Sequence, residues 1–125
     1  MKPTFAAVER GYPRLEEFPI AKLYESIGWE GLADLPQWRN TCATRMSIAL
    51  ARAGVVVPGR MRVRKGAMNG ISIEPGQGKL SHILKGQWGA PDVFKTQHAA
   101  VKGVGRRNGV TSFFRIEGPH DTQGH

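Results

Sequence analysis

The chain has one cysteine in 125 residues, Cys42, so no disulfide can form within it and nothing covalent staples the fold. Long hydrophobic runs are missing as well. No stretch approaches the roughly 18 apolar residues that a membrane-spanning helix needs. The opening Met1-Lys2-Pro3-Thr4-Phe5-Ala6-Ala7-Val8-Glu9 lacks the apolar segment of a secretory signal. Such a chain is expected to stay in the cytoplasm or to leave by a route without a cleaved signal. Acidic residues are few: 10 Asp and Glu stand against 18 Lys and Arg, a formal net charge of +8. The carboxylates do not cluster, which argues against glycosidase-type chemistry. One cysteine and 4 scattered histidines give no metal-ligand spacing. The glycine-rich stretches lack the Gly-Lys-Ser/Thr of a phosphate-binding loop, and there is no internal repeat.

Glycine and proline are plentiful, 16 and 8, which implies many turns and short elements rather than a long helical bundle. The length suits a single domain, residues 1–125, with one modest core. The positive charge points to an anionic partner. Nucleic acid, an acidic protein inhibitor and a negatively charged cell wall all satisfy it.

The most informative stretch runs from Trp38 to Leu50 and holds the cysteine. Asn40 and Thr41 are both good N-cap residues. From Cys42 on, the spacing of Cys42, Met46, Ala49, Leu50 and Ala53 is helical, and Gly54 offers the stop. This predicts a helix with an apolar inner face and Cys42 in its first turn. The positive end of a helix favours a thiolate, and its free amides can hold the oxyanion formed when a carbonyl is attacked. Papain-like enzymes pair such a cysteine with a histidine from a facing sheet. A lone cysteine equally suits the role of a small buried hydrophobe.

Elsewhere the pattern predicts short helices over Phe5 to Arg10 and Pro19 to Ile27, the latter ended by Gly28. The aromatics of the Trp29 to Trp38 loop are expected to cover the core. Arg60-Met61-Arg62-Val63-Arg64-Lys65 alternates basic and apolar residues, as a half-exposed strand does, and Met68 to Pro75 reads as extended. Leu80, Ile83, Leu84 and Trp88 mark a second amphipathic helix, ended by Gly86 or Gly89. Thr96 to Gly105 reads as a linker, Val110 to Ile116 as the best strand, and Gly118 to Gln123 as a turn before Gly124-His125 opens another strand.

Asn40-Thr41-Cys42-Ala43-Thr44-Arg45-Met46-Ser47, then Leu80-Ser81-His82-Ile83-Leu84 with Trp88-Gly89-Ala90-Pro91, then Gly109 to Phe114 and a late Gly124-His125, come in a distinctive order. Together they resemble the type VI secretion amidase effectors of family four, papain-like enzymes of Gram-negative bacteria, over residues 15–125. The first string is the most specific part. The resemblance implies an α+β, papain-like (NlpC-type) cysteine amidase fold, with an antiparallel sheet packed on an N-terminal helical part. It implies a DL-endopeptidase that cuts peptidoglycan stems between D-glutamate and meso-diaminopimelate and needs no cofactor or metal. The type VI secretion machinery would deliver it to the periplasm of rival cells, and a cognate immunity protein would protect the producer. Cys42 matches the nucleophile and His125 the general base. Gln37, shortly before Cys42, is the candidate second oxyanion donor.

One departure stands beside the match. In the family, further strands follow the histidine and carry the carboxylate that orients it, whereas this chain ends on His125. The resemblance therefore implies an incomplete sheet and a C-terminally truncated domain, its missing segment lost or supplied as a separate chain. The 125-residue form is then expected to be inactive or poorly folded. Asp121 is the nearest acid in sequence, but it falls in the preceding turn. Among the other histidines, His82 is expected at the surface or core edge, His98 in solvent, and His120 in a turn. Spacing alone does not choose His125 over His120. The competing reading is a small basic nucleic-acid-binding module, built on the Arg60 to Lys65 strand and Arg106-Arg107. Against it, no helix concentrates the basic residues and no binding motif appears.

Iodoacetamide separates the two roles of the cysteine. A poised Cys42 thiolate labels rapidly near neutral pH in the folded protein, and a structural cysteine labels only on unfolding.

Overall fold

The computed structural model describes residues 2–111, 113–114 and 123–124. Helix α1, Phe5–Gly11, begins where the Thr4 hydroxyl accepts from the Ala7 amide at 3.2 Å. Helix α2, Ile20–Ser26, follows Pro19, and Leu23, Tyr24 and Ile27 are buried as the helical spacing predicts. Two short 3-10 turns, Glu30–Leu32 and Pro36–Trp38, then lead to the central helix. The aromatics here do cover the core. Trp29 is buried against Tyr24, with ring centroids 6.3 Å apart, and its indole N–H donates to the Arg62 carbonyl at 2.9 Å.

Helix α3, Cys42–Arg52, differs from the expected one-faced amphipathic helix. Every residue from Ala43 to Leu50 is buried. The reason is its position between two apolar clusters. Ala43, Met46, Ala49 and Leu50 pack into one cluster with Val8, Val55, Val57, Leu80 and Leu84. Ile48 points into the other, with Leu23, Tyr24, Ile27, Val63 and Ile73. Thr44, Arg45 and Ser47 are enclosed with the apolar residues between them. Gly54, at φ +90°, ends the helix as the sequence predicts, in a conformation that other residues rarely adopt.

Beyond it, Val55 and Val57 point inward and Val56 outward. Strand β1, Met61–Arg62, pairs antiparallel with β2, Ser72–Ile73. Val63 is buried while Arg62 and Arg64 are exposed, the alternation the sequence carries. Helix α4, Gln77–Trp88, buries Leu80 and Leu84 and ends at Gly89, so Gly86 lies within it.

Two expectations change further on. Thr96 to Gly105 is not a linker: Gln97–Val104 forms helix α5, started by the Thr96 hydroxyl accepting from the Ala99 amide at 3.1 Å. None of its residues is buried, so no apolar stripe revealed it. Of the expected Val110 to Ile116 strand, Phe113–Phe114 forms β3, which pairs antiparallel with β4, Gln123–Gly124, while Val110 and Thr111 are not in it and Ser112, Arg115 and Ile116 lie outside the described residues. Val110 instead packs against the first cluster. Gln123, expected in the turn, is in the strand, and residues 115–122 lie outside the described residues.

The domain is α+β, with five helices among the described residues. Its strands form two separate antiparallel pairs there. No described helix is long and apolar enough to cross a membrane.

Gly59 shows how closely the elements meet. A Cβ there would lie 2.0 Å from the carbonyl carbon and oxygen of Ile73, main-chain atoms that cannot turn aside. Gly59→Ala is expected to destabilise the fold by about 3 kcal/mol, because overpacking against backbone forces the chain before β1 and the end of β2 apart. Urea unfolding followed by circular dichroism measures it.

Candidate active site

Cys42 is the first residue of α3 and is half-buried, with its thiol free. Both expected cap residues act, but differently. Asn40 Oδ1 accepts from the Cys42 amide at 3.2 Å. Thr41 makes no capping bond to the first-turn amides; its Oγ1 accepts instead from Arg45 Nε at 2.8 Å.

Arg45 is the residue that sequence reasoning missed. It is 4 % exposed. Besides Thr41, its Nη1 donates to the Pro13 carbonyl at 2.8 Å and its Nη2 to the Phe18 carbonyl at 2.7 Å. The guanidinium thus ties the start of α3 to both ends of the connection between α1 and α2. Burial pulls its pKa down, and the nearby Tyr12, Cys42, Tyr24 and Glu16 oppose that shift when ionised. Tyr12, half-buried at the end of α1, stands in the same electrostatic neighbourhood. Burial raises its pKa first, the Cys42 thiolate raises it further, and Arg45 lowers it. A signal was present in the sequence: Thr41 and Arg45 are four residues apart, one helical turn, inside an otherwise apolar segment.

Ser47, in the same string, anchors the opposite side of the helix. Its hydroxyl donates to the Glu74 carbonyl at 2.8 Å and accepts from the Glu74 amide at 3.2 Å. The Glu74 carboxylate is itself buried, takes the Gly76 amide at 2.7 Å, and pairs with Arg60 Nη2 at 2.9 Å. Arg60 therefore serves the fold and is only partly available to the basic stripe that a nucleic-acid module would use.

The other candidates divide clearly. Gln37 is exposed on the Pro36–Trp38 turn. His82 is exposed on α4 and lines a cavity of about 330 Å³ with Pro58, Arg60, Glu74, Gly78, Lys79 and Ile83, which does not include Cys42. His98 is exposed on α5. His120, Asp121 and His125 lie outside the described residues. The pairing of Gly124 with Phe113 brings the chain back antiparallel just before His125. Among the described residues no group of His, Cys, Asp and Glu could hold a metal ion.

The class defined by these features is a small α+β domain that presents a half-buried thiol at the start of a helix enclosed by the core. More particularly, the family described as type VI secretion system (T6SS), amidase effector protein 4, matches residues 38–125, from just before the cysteine to the final histidine, and the chain belongs to that family. It is an antibacterial amidase effector of the type VI secretion system. No curated protein matches the chain.

Tyr12, half-buried, and Tyr24, buried, make alkaline stability testable. Tyr12 and Tyr24 both have pKa values raised above the usual 10.0, with burial the leading cause. Folding then favours the neutral phenols, so their contribution is complete below the unfolded value and is lost as pH rises through the folded ones. Stability is expected to fall above about pH 10, and Tyr12→Phe to flatten that fall, as measured by urea unfolding across pH. Tyr24→Phe also removes the hydroxyl bond to the Trp38 carbonyl, at a cost of about 1 kcal/mol near neutral pH.

Proposed function

We propose that the chain is a cysteine DL-endopeptidase of papain-like (NlpC-type) fold, residues 1–125 forming one domain, that hydrolyses the γ-D-glutamyl–meso-diaminopimelate bond of peptidoglycan stem peptides. The observation that carries this reading is the half-exposed Cys42 thiol at the N-terminus of a helix buried from Ala43 to Leu50, within the matched part of the chain. A rigid helix aims the sulfur, and the first-turn amides beside it suit a developing oxyanion.

In the proposed reaction the Cys42 thiolate attacks the γ-glutamyl carbonyl, and the carbonyl π electrons move to oxygen. His125, protonated, gives its proton to the departing diaminopimelate amine as the carbon–nitrogen bond breaks. Water, deprotonated by His125, then attacks the thioester and returns the thiolate. The Asn40 bond to the Cys42 amide is long enough for the substrate oxygen to displace it. Gln37, exposed five residues before Cys42, is the proposed second donor to that oxygen. Type VI delivery to the periplasm of a rival cell accounts for action on the wall. The net charge of +8 favours encounter with an anionic polymer. A cognate immunity protein that occludes Cys42 would protect the producing cell.

Purified Gram-negative peptidoglycan, incubated with the gene product expressed to its natural stop codon or with its Cys42→Ala variant and read by mass spectrometry, tests the reading. Expected is loss of tetrapeptide and cross-linked stems at the glutamate–diaminopimelate bond, with Cys42→Ala slower by on the order of 10⁴-fold. A wall cut equally by both proteins, or by neither, would refute the assignment of Cys42.

A further inference from the structure

We infer that Arg45 is the positioning residue of the Cys42 thiol, holding the two chain segments that flank it in one fixed relation. The inference rests on the proposed role of Cys42 as nucleophile and extends it to the residue that sets the geometry of the thiol.

Three acceptors converge on one guanidinium, at 2.8 Å from Thr41 Oγ1, 2.8 Å from the Pro13 carbonyl and 2.7 Å from the Phe18 carbonyl. Thr41 immediately precedes Cys42, and Pro13 immediately follows Tyr12. The guanidinium is a rigid planar fork, so bonds from three of its nitrogens fix those acceptors relative to one another. At 4 % exposure, water cannot replace them. No carboxylate among the described residues lies within ion-pair distance of Arg45. A buried cation whose hydrogen bonds all go to neutral oxygens is an expensive way to hold a fold together, because the Glu16 carboxylate acts on it only from beyond ion-pair distance and offsets its desolvation only in part. Its place is what distinguishes it: on the helix that carries Cys42, one turn from Thr41, bound to both ends of the neighbouring connection.

Thr41 shows the consequence locally. Its hydroxyl is drawn toward Arg45 and makes no cap to the first turn of α3. The amides beside the thiol are therefore left to the Asn40 side chain and to a substrate. Loss of the clamp would let the start of α3 shift against Tyr12, and misplacement of a reacting group by about 1 Å can lower a rate by about 100-fold. The mutual electrostatic influence of Arg45, Tyr12 and Cys42 agrees with this proximity.

The test measures kcat and KM for release of diaminopimelate-containing peptide from peptidoglycan fragments, together with thermal unfolding, for the gene product expressed to its natural stop codon, as wild type and in four variants. Arg45→Lys keeps the charge but cannot span three acceptors. Thr41→Val removes only the bond next to Cys42, and decides the matter if Arg45→Lys does not fold. Ser47→Ala loosens the same helix on its far side, at Glu74, and Cys42→Ala sets the baseline. Expected is a fall in kcat of about 10- to 100-fold for Arg45→Lys and a smaller fall for Thr41→Val, with KM changed less than about twofold. Ser47→Ala is expected to lower the unfolding midpoint and leave kcat unchanged. Wild-type kcat in a folded Arg45→Lys, or in Thr41→Val, would overturn the inference. So would an equal loss of kcat in Ser47→Ala, since general loosening would then explain the effect. Full activity in Cys42→Ala removes the nucleophile reading and this inference with it. An inactive Cys42→Ala beside a fully active Arg45→Lys removes the inference alone.

Discussion

Enclosure of α3 on every side is the constraint from which the rest of the domain follows. A helix inside a core cannot send its polar side chains to water, so Arg45 and Ser47 depend on partners fixed by the surrounding chain, while the Thr44 hydroxyl is buried without one. Arg45 takes the Pro13 and Phe18 carbonyls and Thr41, and Ser47 takes both main-chain groups of Glu74. These bonds attach the N-terminal segment to one side of α3 and β2 to another. The apolar residues between them supply most of the burial energy, and the polar ones determine which packing is adopted.

The same logic extends one layer outward. With its main chain held by Ser47, the Glu74 carboxylate is carried into the interior, where it requires the Arg60 guanidinium and the Gly76 amide. Arg60 therefore belongs to the fold although its neighbours Arg62 and Arg64 face solvent. Gly59 permits the arrangement, because the backbone before β1 lies against Ile73 with no room for a side chain.

Function depends on this rigidity. A thiol at a helix start is chemically useful only when that end of the helix does not move, and Arg45 holds the start of α3 through Thr41. The chain belongs to the amidase effector family, and the reaction proposed for the thiol is of that class; the net charge of +8 suits encounter with an anionic polymer. The string around Cys42 divides the work: Asn40, Thr41 and Arg45 set the end of the helix that carries the cysteine, and Ser47 anchors the far side to Glu74.

Local elements were legible where a single chemical signal controls them. The helix beginning at Cys42, its stop at Gly54, the alternation around Val63 and the inward face of α4 follow from spacing and from glycine, and the order of motifs was enough to indicate the family. Helix α5 was not legible, because it buries no side chain and so leaves no periodic apolar mark. Nor did the sequence reveal that Arg45 and Ser47 are interior residues. Their partners, Pro13, Phe18 and Glu74, are 32, 27 and 27 positions away. The pattern along the chain determined which segments coil and where the thiol stands in its helix. Only the tertiary structure decided that this helix is buried all round, because burial depends on what distant segments bring to each face.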